Sequence, residues 1–133
     1  MAIWLFKTEP GTYSFDNLVA DRKTWWTGVA NAQARIHLRT VASGDRVWFY
    51  HTGSEKAIVG EARVTGGPMP EGDDPKSVMV EIEPVRKVPV PVTLSQIKAD
   101  PAFAGWDLVR LPRLSVLPVP AGLSRRIEKL AGF

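Results

Sequence analysis

Hydrophobic and polar positions change period several times along the chain, and each change predicts an element. The apolar run Ala2-Ile3-Trp4-Leu5-Phe6, closed by Lys7 and the Pro10-Gly11 turn, is too short for a helix and predicts a buried strand. Ser14 reads as a helix cap ahead of Phe15, Leu18 and Val19 at i, i+3 and i+4, a short amphipathic helix ending near Asp21-Arg22-Lys23. Trp25-Trp26-Thr27-Gly28-Val29 predicts a brief extended segment with a glycine bend, and Asn31 a cap for a second helix over Ala32 to Val41. After the Gly44-Asp45 turn, Arg46-Val47-Trp48-Phe49-Tyr50-His51 is aromatic and branched enough to be a strand, and Ala57 to Val64 is another. In Ser77 to Glu83, Val78, Val80 and Ile82 alternate with Met79, Glu81 and Glu83, the period of a strand with one face toward a core.

The intervening Thr65 to Lys76, rich in glycine, proline and acid, reads as a surface loop. Prolines confine Val88 to Val92 to a sheet edge or a linker. Thr93 caps a short helix through Leu94, Ile97 and Lys98, and Trp106 to Leu117 offers one or two short strands around Pro112. The last helix starts near Pro120, carries Leu123, Ile127 and Leu130 on one stripe, and stops before Gly132. With no internal repeat, these elements describe an α+β domain: a mostly antiparallel sheet of five to seven strands with peripheral helices, or a small barrel.

Length and composition narrow the chemistry. The 133 residues suit one domain over 1–133, and 44% hydrophobic with 23% charged residues argues against a disordered, collagen-like or supercharged chain. The absence of cysteine excludes disulfides, thiolate nucleophiles, iron–sulfur clusters and cysteine-bound zinc. With only His37 and His51 as imidazoles, neither a metal nor another cofactor is expected. No early apolar run suits a signal segment or a bilayer span, so a cytoplasmic location and no membrane partner are expected. A net charge of +3 and a pI near 9.4 tolerate a polyanion without demanding one.

The common phosphate-loop, dinucleotide, nucleophile-elbow and zinc-protease signatures are absent. Asp73 and Asp74 read as solvated loop acids, and Lys7 with Glu9 and His51 supports acid–base work only if the fold assembles them. Five tryptophans point instead to binding, because Trp25 and Trp26 set flat π-faces among Arg22, Lys23, Arg35 and Arg39, as a nucleobase stacked beside its phosphates requires. Arg35 and Arg39 share one helix face. In an extended segment Trp25 and Trp26 point to opposite faces, so only one is core. The same alternation parts Val47, Phe49 and His51 from Trp48 and Tyr50, with one set in the core and the other lining something. Trp4 reads as core, and nothing local decides Trp106.

Several blocks then fall in the order of one family. Trp4-Leu-Phe-Lys-Thr-Glu-Pro10, Trp26-Thr-Gly-Val29, Asn31-x-Gln-Ala-Arg35, Leu38-Arg39, Phe49-Tyr-His51, Ile58-Val-Gly60, Asp74-Pro-Lys-Ser77 and Arg113-Leu-Ser-Val116 resemble the EVE domain over nearly the whole chain. The resemblance implies a PUA-like fold, a curved and partly closed β-barrel with helices around it, related to YTH and ASCH domains. It also implies a non-catalytic module that reads modified bases, cytosine or adenine in DNA or in RNA, with a protein partner supplying any effector activity. Trp26 is then one wall of an aromatic cage. Lys7, Thr8 and Asn31 contact the base edge or phosphate, Tyr50 and His51 add polar lining, and Arg35 and Arg39 meet phosphate. Ala32 stands where many members have an aromatic, and Ser77 runs straight into Val78, which leaves one wall unassigned and the cage more open. The alternative from another class is a small RNA nuclease or nucleotide hydrolase using Lys7 and His51. Stacking contributes about 1–3 kcal/mol per base against a flipping cost of a few, so a lone domain is expected to bind weakly.

Overall fold

The computed structural model describes residues 1–133. Its strands are β1 (Ile3–Thr8), β2 (Thr24–Trp26), β3 (Arg46–His51), β4 (Ala57–Pro70), β5 (Val78–Thr93) and β6 (Val116–Pro118). Its helices are α1 (Phe15–Asp21), α2 (Ala32–Thr40), α3 (Leu94–Ala99), α4 (Asp107–Arg110) and α5 (Ala121–Leu130), with a short 3₁₀ turn at Pro101–Phe103. The strands form one six-stranded sheet in the order β2-β5-β4-β3-β1-β6, antiparallel throughout except for the parallel β1–β3 pair.

The sheet curls into a half-barrel. Three strands separate β2 from β1 in the hydrogen-bonded order, yet the Trp26 ring on β2 lies 5.5 Å from Phe6 on β1 and 5.5 Å from Phe49 on β3. The concave face therefore closes over its own aromatic side chains. Helix α1 adds Phe15 and Leu18 to this core, with Phe15 edge-on to Phe49 at 5.3 Å, and α2 adds Ala34 and Leu38. Gly60 on β4 makes the first of these contacts possible: a Cβ there would lie 2.4 Å from the Phe15 ring. Both helices start where a side chain accepts an otherwise orphaned amide, Ser14 from Asn17 and Asn31 from Ala34.

The convex face is covered as well. Trp48 is fully buried and its Nε1 donates to Ser124 Oγ of α5 at 2.9 Å, so the expectation that one aromatic set of β3 lines an opening fails for Trp48. Helix α5 supplies an apolar cover that the pattern of β3 alone does not reveal. Trp4 and Trp106 are core residues too, their indole N–H groups donating to Asp45 and to the Pro118 carbonyl.

Three further boundaries differ from the sequence reading. Residues 65–70, read as loop, continue β4, because β5 pairs with it out to Pro70↔Val78 and register breaks around Gly66 absorb the glycines and proline. The proline-rich stretch belongs to β5 itself. Strand β2 pairs only with Val80 to Ile82, so Pro84, Pro89 and Pro91 lie beyond the stretch of β5 flanked by strands on both sides, and Pro89 and Pro91 fall where the β4–β5 register breaks. Trp106 to Leu117 holds the single turn α4 and only the start of β6, since a four-residue helix is too short to display its own period.

Candidate functional site

A cavity of about 280 Å³ opens beside Trp26, lined by Thr8, Thr12, Tyr13, Thr24, Trp25, Trp26 and Thr27. Thr8 is the last residue of β1. The chain then turns back on Glu9, whose carbonyl accepts from the amides of Thr12 and Tyr13, each at 2.9 Å, while its carboxylate receives Gly11 N–H at 3.2 Å. That turn delivers the Tyr13 ring to within 6.4 Å of Trp26 at an interplanar angle of 80°. Two aromatic walls thus meet at nearly a right angle. Tyr13 Oη donates to Asp21 Oδ2 at 2.8 Å, which fixes the ring, and burial together with that bond pushes its phenol up from the ordinary value. Trp26 is 8% exposed and Trp25 37%, the division that strand alternation requires. Every lining side chain is uncharged, and four of them are threonines.

The other sequence-designated residues divide among several places. Lys7 and Tyr50 are register partners on adjacent strands and project from the face opposite Trp26, Phe6 and Thr8. Lys7 Nζ donates to the Pro112 carbonyl at 3.0 Å and lies 5.7 Å from the Tyr50 ring centroid. Burial lowers the Lys7 pKa and pushes the Tyr50 phenol up to about 12. His51 lies on the Trp26 side but is committed: its Nε2 accepts the Phe15 amide at 3.0 Å, so the ring proton is on Nδ1, which meets Glu55 Oε1 at 2.6 Å. It anchors the start of α1. Lys7 and His51 therefore do not form an acid–base pair.

Asn31 caps α2 through Oδ1, at 2.9 Å from Ala34 N, and lines a different cavity of about 400 Å³ with Gln33 and residues 111–114. Arg35 donates from Nε to the Val29 carbonyl at 2.7 Å and from Nη2 to Ser77 Oγ at 3.1 Å, with Asp74 at 3.9 Å. Arg39 donates to the Lys76 carbonyl at 2.8 Å, and Gly28 N–H reaches Glu71 Oε1 at 3.0 Å. Together these contacts tie the tip of the β4–β5 hairpin to the segment after β2. The Lys76 amide, the Ser77 hydroxyl and Arg35 hold the Asp74 carboxyl below its ordinary range.

The EVE domain family model matches residues 2–130. The chain belongs to the EVE domain family. Thymocyte nuclear protein 1 of Gallus gallus is 30% identical over 123 residues, covering 71% of this chain and 51% of that protein, so the chain spans about half the length of the curated relatives it matches first. Rpa0253 from Rhodopseudomonas palustris has 38% identity and a TM-score of 0.93 over 99% of this chain and 94% of its own. The human THYN1 protein, solved in complex with 5-methylcytosine-containing DNA, has 25% identity and a TM-score of 0.87 over 100% of this chain and 99% of its own. The curled six-stranded sheet is the PUA-like fold of these relatives. No helix of the domain is long and apolar enough to cross a membrane.

In this EVE domain the cavity can take a flat, uncharged group: Trp26 and Tyr13 offer apolar surfaces, and each threonine offers a hydroxyl and a methyl. Tyr13, Thr12, Thr24 and Thr27 were not designated from the sequence. Tyr13 stands directly before the Ser14 helix cap and after the Pro10-Gly11 turn, and that local signal was available for placing an aromatic at a chain reversal. Its meeting with Trp26 depends on the curl of the sheet, which is non-local.

Proposed function

We propose that this EVE domain is a non-catalytic module that binds nucleic acid carrying a modified base, with the base turned out of its strand into the cavity beside Trp26. The observation that carries the reading is the right-angled pair of Trp26 and Tyr13 over an uncharged, threonine-lined space of about 280 Å³. That is room for about nine waters, more than one flat base requires. One face of the base stacks on an aromatic wall, threonine hydroxyls meet its polar edge, and threonine methyls surround an added methyl group. Membership of the same family as human THYN1, solved with methylated DNA, supports the substrate class. A consequence beyond binding then requires a protein partner.

The test is titration of short oligonucleotides carrying 5-methylcytosine, plain cytosine or methylated adenine against the native domain, Tyr13→Leu and Thr27→Val. Trp26→Ala is included with a thermal melt, because Trp26 also packs on Phe6 and Phe49. The expected result is a preference for one modified base that Tyr13→Leu weakens by about tenfold, the loss of roughly one stacking contact. Equal affinity for every oligonucleotide in the native domain would refute the reading.

A further inference from the structure

The Arg113-Leu-Ser-Val116 block has no part in the cavity beside Trp26, yet its Arg113 and Leu114 line another. Asn31 and Gln33, at the start of α2, face Leu111, Pro112, Arg113 and Leu114 across a space of about 400 Å³. We propose that this groove is a second nucleic-acid subsite, which holds the phosphate and the base next to the nucleotide whose base enters the Trp26 cavity. The inference rests on the base-binding reading above and extends it along the strand.

Charge is the first argument. No carboxylate lines the groove, and the exposed Arg113 guanidinium engages no acid, whereas Arg35, Arg46, Arg63, Arg86, Arg110 and Arg126 are all within ion-pair distance of one. A free guanidinium beside a cavity suits a phosphate, which it can grip through two parallel N–H donors. The amides are the second argument. Asn31 spends Oδ1 on its helix cap and keeps its NH₂ donors, while Gln33 Nε2 lies 3.3 Å from His37 Nε2 and its Oε1 stays free. A donor and an acceptor on neighbouring side chains match a base edge, and Leu111 with Pro112 offers apolar surface to the base or sugar.

Placement is the third. Both spaces flank the C-terminal end of β1: Thr8 lines one, and the adjacent Lys7 holds the other through Pro112 O at 3.0 Å and through its own amide to Ser115 O at 2.9 Å. Thr27 and Asn31, one in each lining, are four residues apart and thus at most about 14 Å along the chain. The groove is also preformed, because Leu114 is buried in the core and its amide closes the turn on Leu111 O at 3.1 Å. A strand whose base is in the first space can lay its neighbouring nucleotide in the second.

The experiment compares two probes on the native domain, Arg113→Ala, Leu111→Ala and Tyr13→Leu: a single-stranded oligonucleotide with one central 5-methylcytosine, and 5-methyldeoxycytidine as the free nucleoside. Arg113→Ala is expected to weaken the oligonucleotide by about tenfold and lower the slope of log affinity against log salt by about one, with nucleoside binding unchanged. In amide spectra the Gln33 and Asn31 side chains should shift with the oligonucleotide and not with the nucleoside. Unchanged oligonucleotide affinity and salt slope in Arg113→Ala, with Tyr13→Leu still weakened, would overturn the second subsite and leave the base-binding reading intact. Loss of nucleoside binding in Arg113→Ala would also overturn it, by assigning Arg113 to the first space. A nucleoside and oligonucleotide that both fail to bind the native domain would remove the base-binding reading and this inference with it.

Discussion

The tightest steric constraint near the candidate site is at Gly60, and Gly60→Ala tests how the site is held. An added Cβ would lie 2.4, 2.5 and 2.6 Å from three carbons of the Phe15 ring, about 1 Å or more inside the usual optimum of about 3.5–4.0 Å. The ring has little room to retreat. It is buried edge-on against Phe49 at 5.3 Å, and its backbone amide is bound to His51 Nε2 at 3.0 Å, so relief requires α1 to move. Overpacking of a core costs about 1–3 kcal/mol, and shifting a whole helix puts this case near 3, or roughly 10 °C in melting temperature for a domain of this size. Urea unfolding of Gly60→Ala, Phe15→Leu and the double variant measures it. The double variant should be less destabilised than the sum of the singles, because the smaller side chain yields the space that the methyl needs. Tyr13 lies two residues before Phe15, so base binding should fall with Gly60→Ala in parallel. A single variant within about 0.5 kcal/mol of native, or singles that simply add, would refute the claim that this contact positions α1.

His51→Ala should cost about 2–4 kcal/mol in urea unfolding, from an orphaned Phe15 amide and lost packing on Phe49; loss of a turnover activity without loss of stability would instead reinstate the hydrolase alternative. Tyr50, with its phenol raised to about 12, contributes stability that is intact below the unfolded value near 10 and is withdrawn as pH climbs to about 12, a total of roughly 2–3 kcal/mol. Tyr50→Phe should flatten that alkaline limb, and an unchanged limb in chemical denaturation across pH 9–12 would contradict the assignment. Asp74, held low by the Lys76 amide, Ser77 and Arg35, stabilises the hairpin tip above the unfolded carboxyl value near 4 and loses that effect as pH falls through its lower folded value. The protection factor of the Ser77 amide, its exchange rate relative to the intrinsic rate at each pH, should therefore fall on acidification in the native domain and be low at all pH in Asp74→Asn.

What the sequence disclosed, and what it did not, follows from where the information resides. Strand β3 was readable to both ends because its aromatic and branched residues favour extended chain, and the split of Trp25 from Trp26 was readable because successive extended residues point to opposite faces. The extension of β4 to Pro70 was not, since it depends on a partner strand and on register breaks that no local pattern encodes. Thr8 and Trp26, both designated from the sequence, line the cavity beside Tyr13, which was not designated, because Tyr13 becomes a wall only once the turn on Glu9 and the curl of the sheet bring β1 and β2 together. Charge was the least legible property. Arg35 and Arg39 lie on one helix face, as their spacing requires, but both are engaged with the hairpin tip, and Lys7 is bound to the Pro112 carbonyl rather than directed into the Trp26 cavity. An unengaged arginine cannot be told from a structural one by spacing, since the difference lies in partners more than thirty residues away. Arg113 is the one charged side chain in the linings of the two cavities, so a strand held as proposed would neutralise few phosphates there. On the proposed reading, discrimination comes from what the uncharged cavity does with one base rather than from a strong, sequence-blind hold on the backbone.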